Sequence, residues 1–188
     1  TSATKYLNGH SDVIAGAVAG TTSVIEEVNR LMRLWGQAID PHAAWLVDRG
    51  LRTLSVRMER HNPKGMAVAK WAEAHAGITR VHYPGLESHP DHALAKATLA
   101  GFGGMVGLEL AGGIRATERF LRRLKLVAHA PSLAGVESLI SEPRLTSHKS
   151  LGAEGRARIG IPDGCVRLSC GIEDAEDIIG DLEQALEE

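Results

Sequence analysis

The amino-acid sequence predicts a chain of mixed helices and strands, α/β in class, whose second half is an α+β domain. Two observations lead there. Strand-like apolar runs alternate with stripes of helical period, and no glycine-rich dinucleotide loop follows any of those runs. In the second half this alternation reads as a separate sandwich with a small mixed or antiparallel sheet. The length, 188 residues, is enough to bury a core and predicts one domain, or one domain with part of another.

The first dozen residues hold Lys5 in a run of small hydroxyl residues, Ser2-Ala3-Thr4-Lys5, that ends in the turn-forming Asn8-Gly9. An amine held in such a loop can form an imine with a carbonyl, and Ser2 and Thr4 offer hydroxyl donors to an anionic group. A solvated N-terminal tail reads the same way on these four residues alone. Val13 to Gly20, apolar and dotted with glycine, reads as a buried strand. Thr21 to Ile39 reads as a helix: Ser23 and Glu26 suit a capping box, and Val24, Val28, Leu31 and Trp35 share one face. Asp40-Pro41 restarts a helix with a carboxylate cap and proline in its first turn, and Gly50 is expected to close it. Leu51 to Ala76 is helical in pattern, with a kink or break expected near Asn62 because Pro63 and Gly65 interrupt it.

In the second half Ile78 to Tyr83 reads as a strand. Ser88 is expected to cap a helix running to about Leu99, with Pro90 and Asp91 in its first turn. A strand from Gly103 to Leu110, a helix from Ile114 to Arg123 and a strand from Leu124 to Ala128 follow. Val136 to Ser141 reads as a short helix or turn, and Val166 to Cys170 as a strand of period two. Asp174 to Leu186 closes the chain as an amphipathic helix, with Ile178, Ile179, Leu182 and Leu186 facing in. Alternation puts Arg167 on the face opposite Val166 and Leu168, as an exposed edge residue or as a fork for a carboxylate. Ser132 lies in a loop, Pro131-Ser132-Leu133-Ala134-Gly135, where a hydroxyl often bonds its own backbone.

A formal charge of −2 and a pI near 6.5 give no electrostatic reason for a nucleic-acid or membrane partner. Neither a signal peptide nor a membrane span is indicated. Cys165 and Cys170 in one strand stand about 16 Å apart, beyond disulfide reach, which suits a reducing, cytoplasmic setting. The nine histidines are scattered, with no spacing that completes a zinc set, so no metal site is expected.

The segment Ser2-Ala3-Thr4-Lys5-Tyr6-Leu7-Asn8-Gly9-His10-Ser11-Asp12 resembles the Schiff-base lysine region of the Cys/Met metabolism family of pyridoxal-phosphate (PLP) enzymes. Cystathionine gamma-synthase, cystathionine gamma-lyase and methionine gamma-lyase belong to that family. Further stretches match in order, among them Arg57-Met58-Glu59-Arg60-His61-Asn62, Tyr83-Pro84-Gly85-Leu86, Ser132-Leu133-Ala134-Gly135-Val136-Glu137-Ser138 and Arg167-Leu168-Ser169-Cys170-Gly171-Ile172-Glu173-Asp174. The resemblance is to the C-terminal half of such an enzyme. It implies a fold-type I PLP-dependent transferase architecture, similar to aspartate aminotransferase. Residues 1–54 would end the large cofactor domain, and 55–188 would form a linker helix and the smaller C-terminal domain.

By the same resemblance, Lys5 is the catalytic lysine in covalent imine linkage to pyridoxal 5'-phosphate. Ser2 and Thr4 bind the cofactor, while Arg167 and Ser132 bind the substrate. The family usually has glycine where Ala134 stands, and some gamma-lyases carry an acidic residue where Pro131 stands. The implied activity is gamma-elimination from a sulfur amino acid by a carbon–sulfur lyase. The alternative is gamma-replacement of an O-acylhomoserine by a thiol, as in a cystathionine gamma-synthase. The implied partners are the N-terminal half of the same enzyme and neighbouring subunits of a homotetramer, a dimer of dimers. Two rival readings are a non-catalytic oligomerisation domain that kept the fold and an unrelated hydrolase or binding module.

Overall fold

The structure, a computed structural model, describes residues 1–187. The chain divides into two compact units, Thr1–Ser55 and a second that begins at Val56.

In the first unit, a wide turn over Ala3–Leu7 is followed by an extended strip. Two helices complete it, α1 (Thr22–Trp35) and α2 (Pro41–Leu51). Residues 13–20 are not a strand. Their one ladder contact is a bridge between Ser2 and Gly16, because only residues 1–4 run alongside to pair with them. Ile14 is 91% exposed, although Val13 is buried. Helix α1 ends four residues before the expected Ile39, where Gly36 takes a left-handed conformation at φ 69°. The capping box is also absent: Thr21 is the N-cap, and its hydroxyl lies 3.2 Å from that of Ser23. The expected apolar face of α1 is uncovered within this unit, with Trp35 72% exposed. At α2 the local signal holds, since the Asp40 carboxylate accepts from His42 N at 2.9 Å and Ala43 N at 3.1 Å. Gly50 does not close α2. It lies inside the helix, where a Cβ would stand 2.3 Å from the Asn8 carbonyl oxygen.

Helix α3 (Leu54–Ala74) starts at the boundary and runs unbroken through Pro63, so the expected break near Asn62 does not occur. Pro63 has no N–H for the Glu59 carbonyl, yet tertiary contacts hold the helix on both sides of it. Asn62 Oδ1 accepts from Gly103 N at 2.8 Å, and a Cβ on Gly65 would meet the Gly103 carbonyl at 2.3 Å.

The sheet of the second unit has five strands in the order β1-β2-β5-β4-β3. They are β1 (Ile78–His82), β2 (Met105–Leu110), β3 (Ala128–His129), β4 (Leu139–Ser141) and β5 (Cys165–Ser169). All neighbours are antiparallel except β3 and β4, which gives the mixed sheet expected. Helices α5 (Gly113–Arg123) and α7 (Ala175–Leu186) join α3 on the apolar face. Val106, Leu108, Ile140, Val166 and Leu168 from the strands and Val68, Phe120, Ile178 and Leu182 from the helices form its buried core. Two short helices, α4 (His92–Thr98) and α6 (Gly152–Arg158), lie in the connections.

Three expectations shift here. Ser88 does not cap α4: its hydroxyl bonds Glu73, and the helix starts at His92. Leu124 to Val127 is not a strand, because the Asp181 carboxylate accepts the N–H groups of Lys125, Leu126 and Val127 at 2.8 to 2.9 Å. Leu139 to Ser141 is a strand and not a helical turn, since Ile140 fills the core opposite Leu168.

Candidate active site

The wide turn is built around a change of direction at Lys5, where ψ leaves the helical range (φ −93°, ψ −131°). Asn8 N donates to Ala3 O at 3.0 Å and Gly9 N donates to Lys5 O at 2.8 Å, closing the turn behind the lysine. Gly9, at φ 74°, supplies the left-handed residue that lets the chain reverse. In front, Ala3 N and Thr4 N both donate to Ala15 O. The Thr4 hydroxyl accepts from Ala15 N at 2.9 Å and lies 3.2 Å from Ala15 O. Asn8 is buried beneath the turn, where its amide donates to Asp12 at 2.8 Å and its carbonyl lies 2.7 Å from His10 Nδ1. Among the described residues, neither the Lys5 ammonium nor the Ser2 hydroxyl makes a hydrogen bond or ion pair. The segment therefore presents a primary amine and a hydroxyl within the four residues from Ser2 to Lys5.

In the second unit, β5 places Arg167 on the face opposite the core, between Gly107 on β2 and Ser141 on β4. The arginine is neither a solvated edge residue nor paired with an acid. Its Nη2 donates to the carbonyls of Pro131 at 2.9 Å and Ser132 at 3.4 Å. Its buried Nε and the buried Ser141 hydroxyl have no partner among the described residues. Desolvation draws the guanidinium's pKa below its ordinary value, but an arginine so placed stays charged. A planar cation with unused donors, held by carbonyls and not by a carboxylate, is chemically suited to an anionic ligand. The Ser132 hydroxyl makes no hydrogen bond among the described residues, so it is not closing its own turn.

The same loop shows why Ala134 tolerates a position where glycine is usual. It adopts φ 63° and is fully buried, with its N–H donating to Ser169 Oγ at 2.7 Å. Beyond β5, residues 170–173 are fixed by groups that sequence reasoning did not single out. His61 Nδ1 lies 2.8 Å from Cys170 O, and Lys64 Nζ donates to Ile172 O at 2.5 Å and to Glu173 O. Burial lowers the His61 pKa, so the neutral ring donates through Nδ1. The Glu173 carboxylate accepts from Ser138 N at 2.7 Å and Ser138 Oγ at 2.8 Å, and that hydroxyl accepts from Gly171 N. The Glu137-Ser138 and Gly171-Ile172-Glu173 stretches thus form one framework behind the Arg167 strand. Their spacing of 35 residues gave no local signal of it. Among the described residues, no group of three or more His, Cys, Asp or Glu side chains could hold a metal ion. Among the described residues, no helix is long and apolar enough to cross a membrane.

The model of the family described as Cys/Met metabolism PLP-dependent enzyme matches residues 1–187. Cystathionine gamma-synthase 1 of Arabidopsis thaliana is 43% identical over 99% of this chain and 33% of its own. Cystathionine beta-lyase of Coxiella burnetii is 46% identical over 98% of this chain and 48% of its own. A crystal structure of cystathionine gamma synthase from Xanthomonas oryzae pv. oryzae, in complex with aminoacrylate and cysteine, superimposes with a TM-score of 0.94 at 44% identity. It covers 98% of this chain and 48% of the other. The chain thus spans half or less of the length of these relatives. The matches, the mixed sheet and the lysine-bearing turn agree: the chain belongs to the Cys/Met metabolism family of PLP-dependent enzymes and has the fold-type I architecture of that family.

Proposed function

We propose that the chain carries the lysine-bearing end of the cofactor domain, to about Leu54, and the smaller C-terminal domain of a carbon–sulfur lyase. The enzyme would act on a sulfur amino acid by gamma-elimination. The observation that carries this reading is Lys5, an amine with no partner among the described residues, set in a turn with the free Ser2 hydroxyl.

The residues present fit pyridoxal phosphate. Lys5 would hold its aldehyde carbon. The Ser2 hydroxyl would meet the phosphate. The Thr4 hydroxyl accepts from Ala15 N and donates to Ala15 O at 3.2 Å, and its proton would leave that carbonyl for a phosphate oxygen. When bound, the cofactor supplies an electron sink for the carbanion at the substrate α carbon. The Lys5 amine would accept the substrate's α proton, which is a general base's work. Arg167 would hold the α-carboxylate through its unused N–H donors, with the Ser132 hydroxyl as a second donor.

Gamma-replacement by a thiol is the second reading, and Pro131 favours it. This residue offers the loop neither a charge nor an N–H, and its carbonyl is engaged by Arg167, so it has nothing to meet the far amino group of cystathionine. A product assay on the complete enzyme separates the two. Release of 2-oxo acid and ammonia from methionine or cystathionine supports elimination. Thioether formation from an O-acylhomoserine and cysteine, without 2-oxo acid, would replace it with the synthase reading.

The upstream half of the same enzyme and neighbouring subunits, assembled as a homotetramer, are the proposed macromolecular partners. The apolar surface of Ile14, Val18, Leu34 and Trp35 supports that reading. A monomer by light scattering would contradict it. The proposed location is the cytoplasm, in keeping with two free, buried thiols.

A further inference from the structure

The loop that carries Ser132 is tied to β5 at two points. Arg167 Nη2 reaches the Pro131 and Ser132 carbonyls, and Ser169 Oγ accepts from Ala134 N at 2.7 Å. Arg167 and Ser169 are two apart on one strand, so both side chains leave the same face. Among the described residues, the two loop carbonyls are the only hydrogen-bond partners of the guanidinium, because its Nε is buried without an acceptor. Whatever sets those carbonyls therefore sets the direction of the fork. At the second tie point stands Ala134, fully buried at φ 63°, a left-handed conformation that a residue with a Cβ leaves unless its surroundings hold it.

We propose that Ser169 is a positioning residue for the Arg167 carboxylate fork: its hydroxyl holds Ala134 in the left-handed turn, and the turn holds the Pro131 and Ser132 carbonyls on the guanidinium. The Arg-Leu-Ser stretch then works as a unit. Arg167 is the fork, Leu168 the core anchor and Ser169 the post that keeps the fork aimed. This rests on the reading of Arg167 as the group that binds the substrate carboxylate. A buried backbone N–H left without its acceptor favours another loop conformation, so the consequence reaches Arg167 without any change to the arginine itself.

The test is a set of variants in the complete, cofactor-loaded enzyme. Ser169→Ala should raise KM for the amino-acid substrate about tenfold, the scale of one buried hydrogen bond, while kcat and cofactor content stay near parental. Its affinity for the matching amine, which lacks the α-carboxylate, should not change. Adding Ala134→Gly should recover part of the lost affinity, since glycine takes the left-handed turn without the tether. If Ser169→Ala does not fold, Ser169→Cys keeps the volume with a weaker acceptor and should show the same rise. Parental KM in the folded variant, or an equal loss for the amino acid and the amine, overturns the proposal. Arg167→Lys separates the two levels. Unchanged KM there removes the carboxylate reading itself, whereas a large rise beside a parental Ser169 variant removes only the positioning role.

Discussion

Gly50→Ala should damage the enzyme even though alanine is the better helix former. Replacing glycine in a helix interior ordinarily gains about 1 kcal/mol. At Gly50 the new methyl would lie 2.3 Å from Asn8 O, 2.8 Å from Asn8 Cα and 2.9 Å from Asn8 C, and all three atoms are backbone. No rotamer change relieves such a contact, so α2 or the turn must move by about 1 Å. Overpacking of this kind costs about 1 to 3 kcal/mol, and a clash with main chain belongs at the upper end, so the clash outweighs the propensity gain. The turn it would displace is the one closed by Asn8 N on Ala3 O and Gly9 N on Lys5 O. A shift of about 1 Å at a catalytic group can lower the rate by 10²-fold. The assay is thermal unfolding together with kcat/KM of the complete enzyme, with Gly180→Ala in α7 as control. A Cβ at Gly180 meets nothing within 4 Å, so that variant should be more stable by up to about 1 kcal/mol at parental activity. A Gly50→Ala enzyme as stable and as active as the parent would refute the packing argument.

Asp181→Asn should lower the melting temperature at neutral pH, because an amide cannot accept all three N–H groups of residues 125–127. The folded pKa of Asp181 lies below its ordinary value: burial raises it, but the N–H groups of Val127, Lys125 and Leu126 and the Gln184 amide together outweigh that. Its contribution is therefore complete above the unfolded value of about 4 and is lost as pH falls through the folded one, so parent and variant should converge in acid. Burial pushes the Cys165 thiol up to about 11 and the Cys170 thiol up to about 12. Neither should be alkylated at pH 8 until the protein unfolds, and rapid labelling of the folded enzyme would contradict this. Lys5→Ala in the complete enzyme should retain cofactor yet lose at least 10² to 10⁴-fold in turnover, measured as 2-oxo acid release. Near-parental release would mean that another base acts.

Local signals carried the sequence reading furthest. Asp40-Pro41 at the start of α2 and the Ile178 and Leu182 face of α7 needed only neighbours within one or two turns, and both stand as expected. The misplaced elements are those decided by distant partners. The donors of residues 125–127 go to a carboxylate more than 50 positions away, which no strand-like pattern there could announce. Helix α3 crosses Pro63 because Asn62 and Gly65 dock on Gly103 and Gly104 across the fold. Gly50 looked like a helix end because glycine is common there, whereas its role is to admit Asn8. At the site, Lys5 and Arg167 could be picked out from residue type and motif. Ser169, Ser138 and Glu173 could not, since their work is done through hydrogen bonds to loops about 35 residues distant.

The most direct test of the central claim is reduction of the cofactor-loaded, complete enzyme with borohydride, followed by peptide mass analysis. Hydride adds across the carbon–nitrogen double bond and leaves a stable secondary amine on whichever lysine held the cofactor. The account predicts the added mass on the peptide Ser2-Ala3-Thr4-Lys5-Tyr6, located at Lys5. Quantitative labelling of another lysine, with Lys5 unmodified, would contradict it.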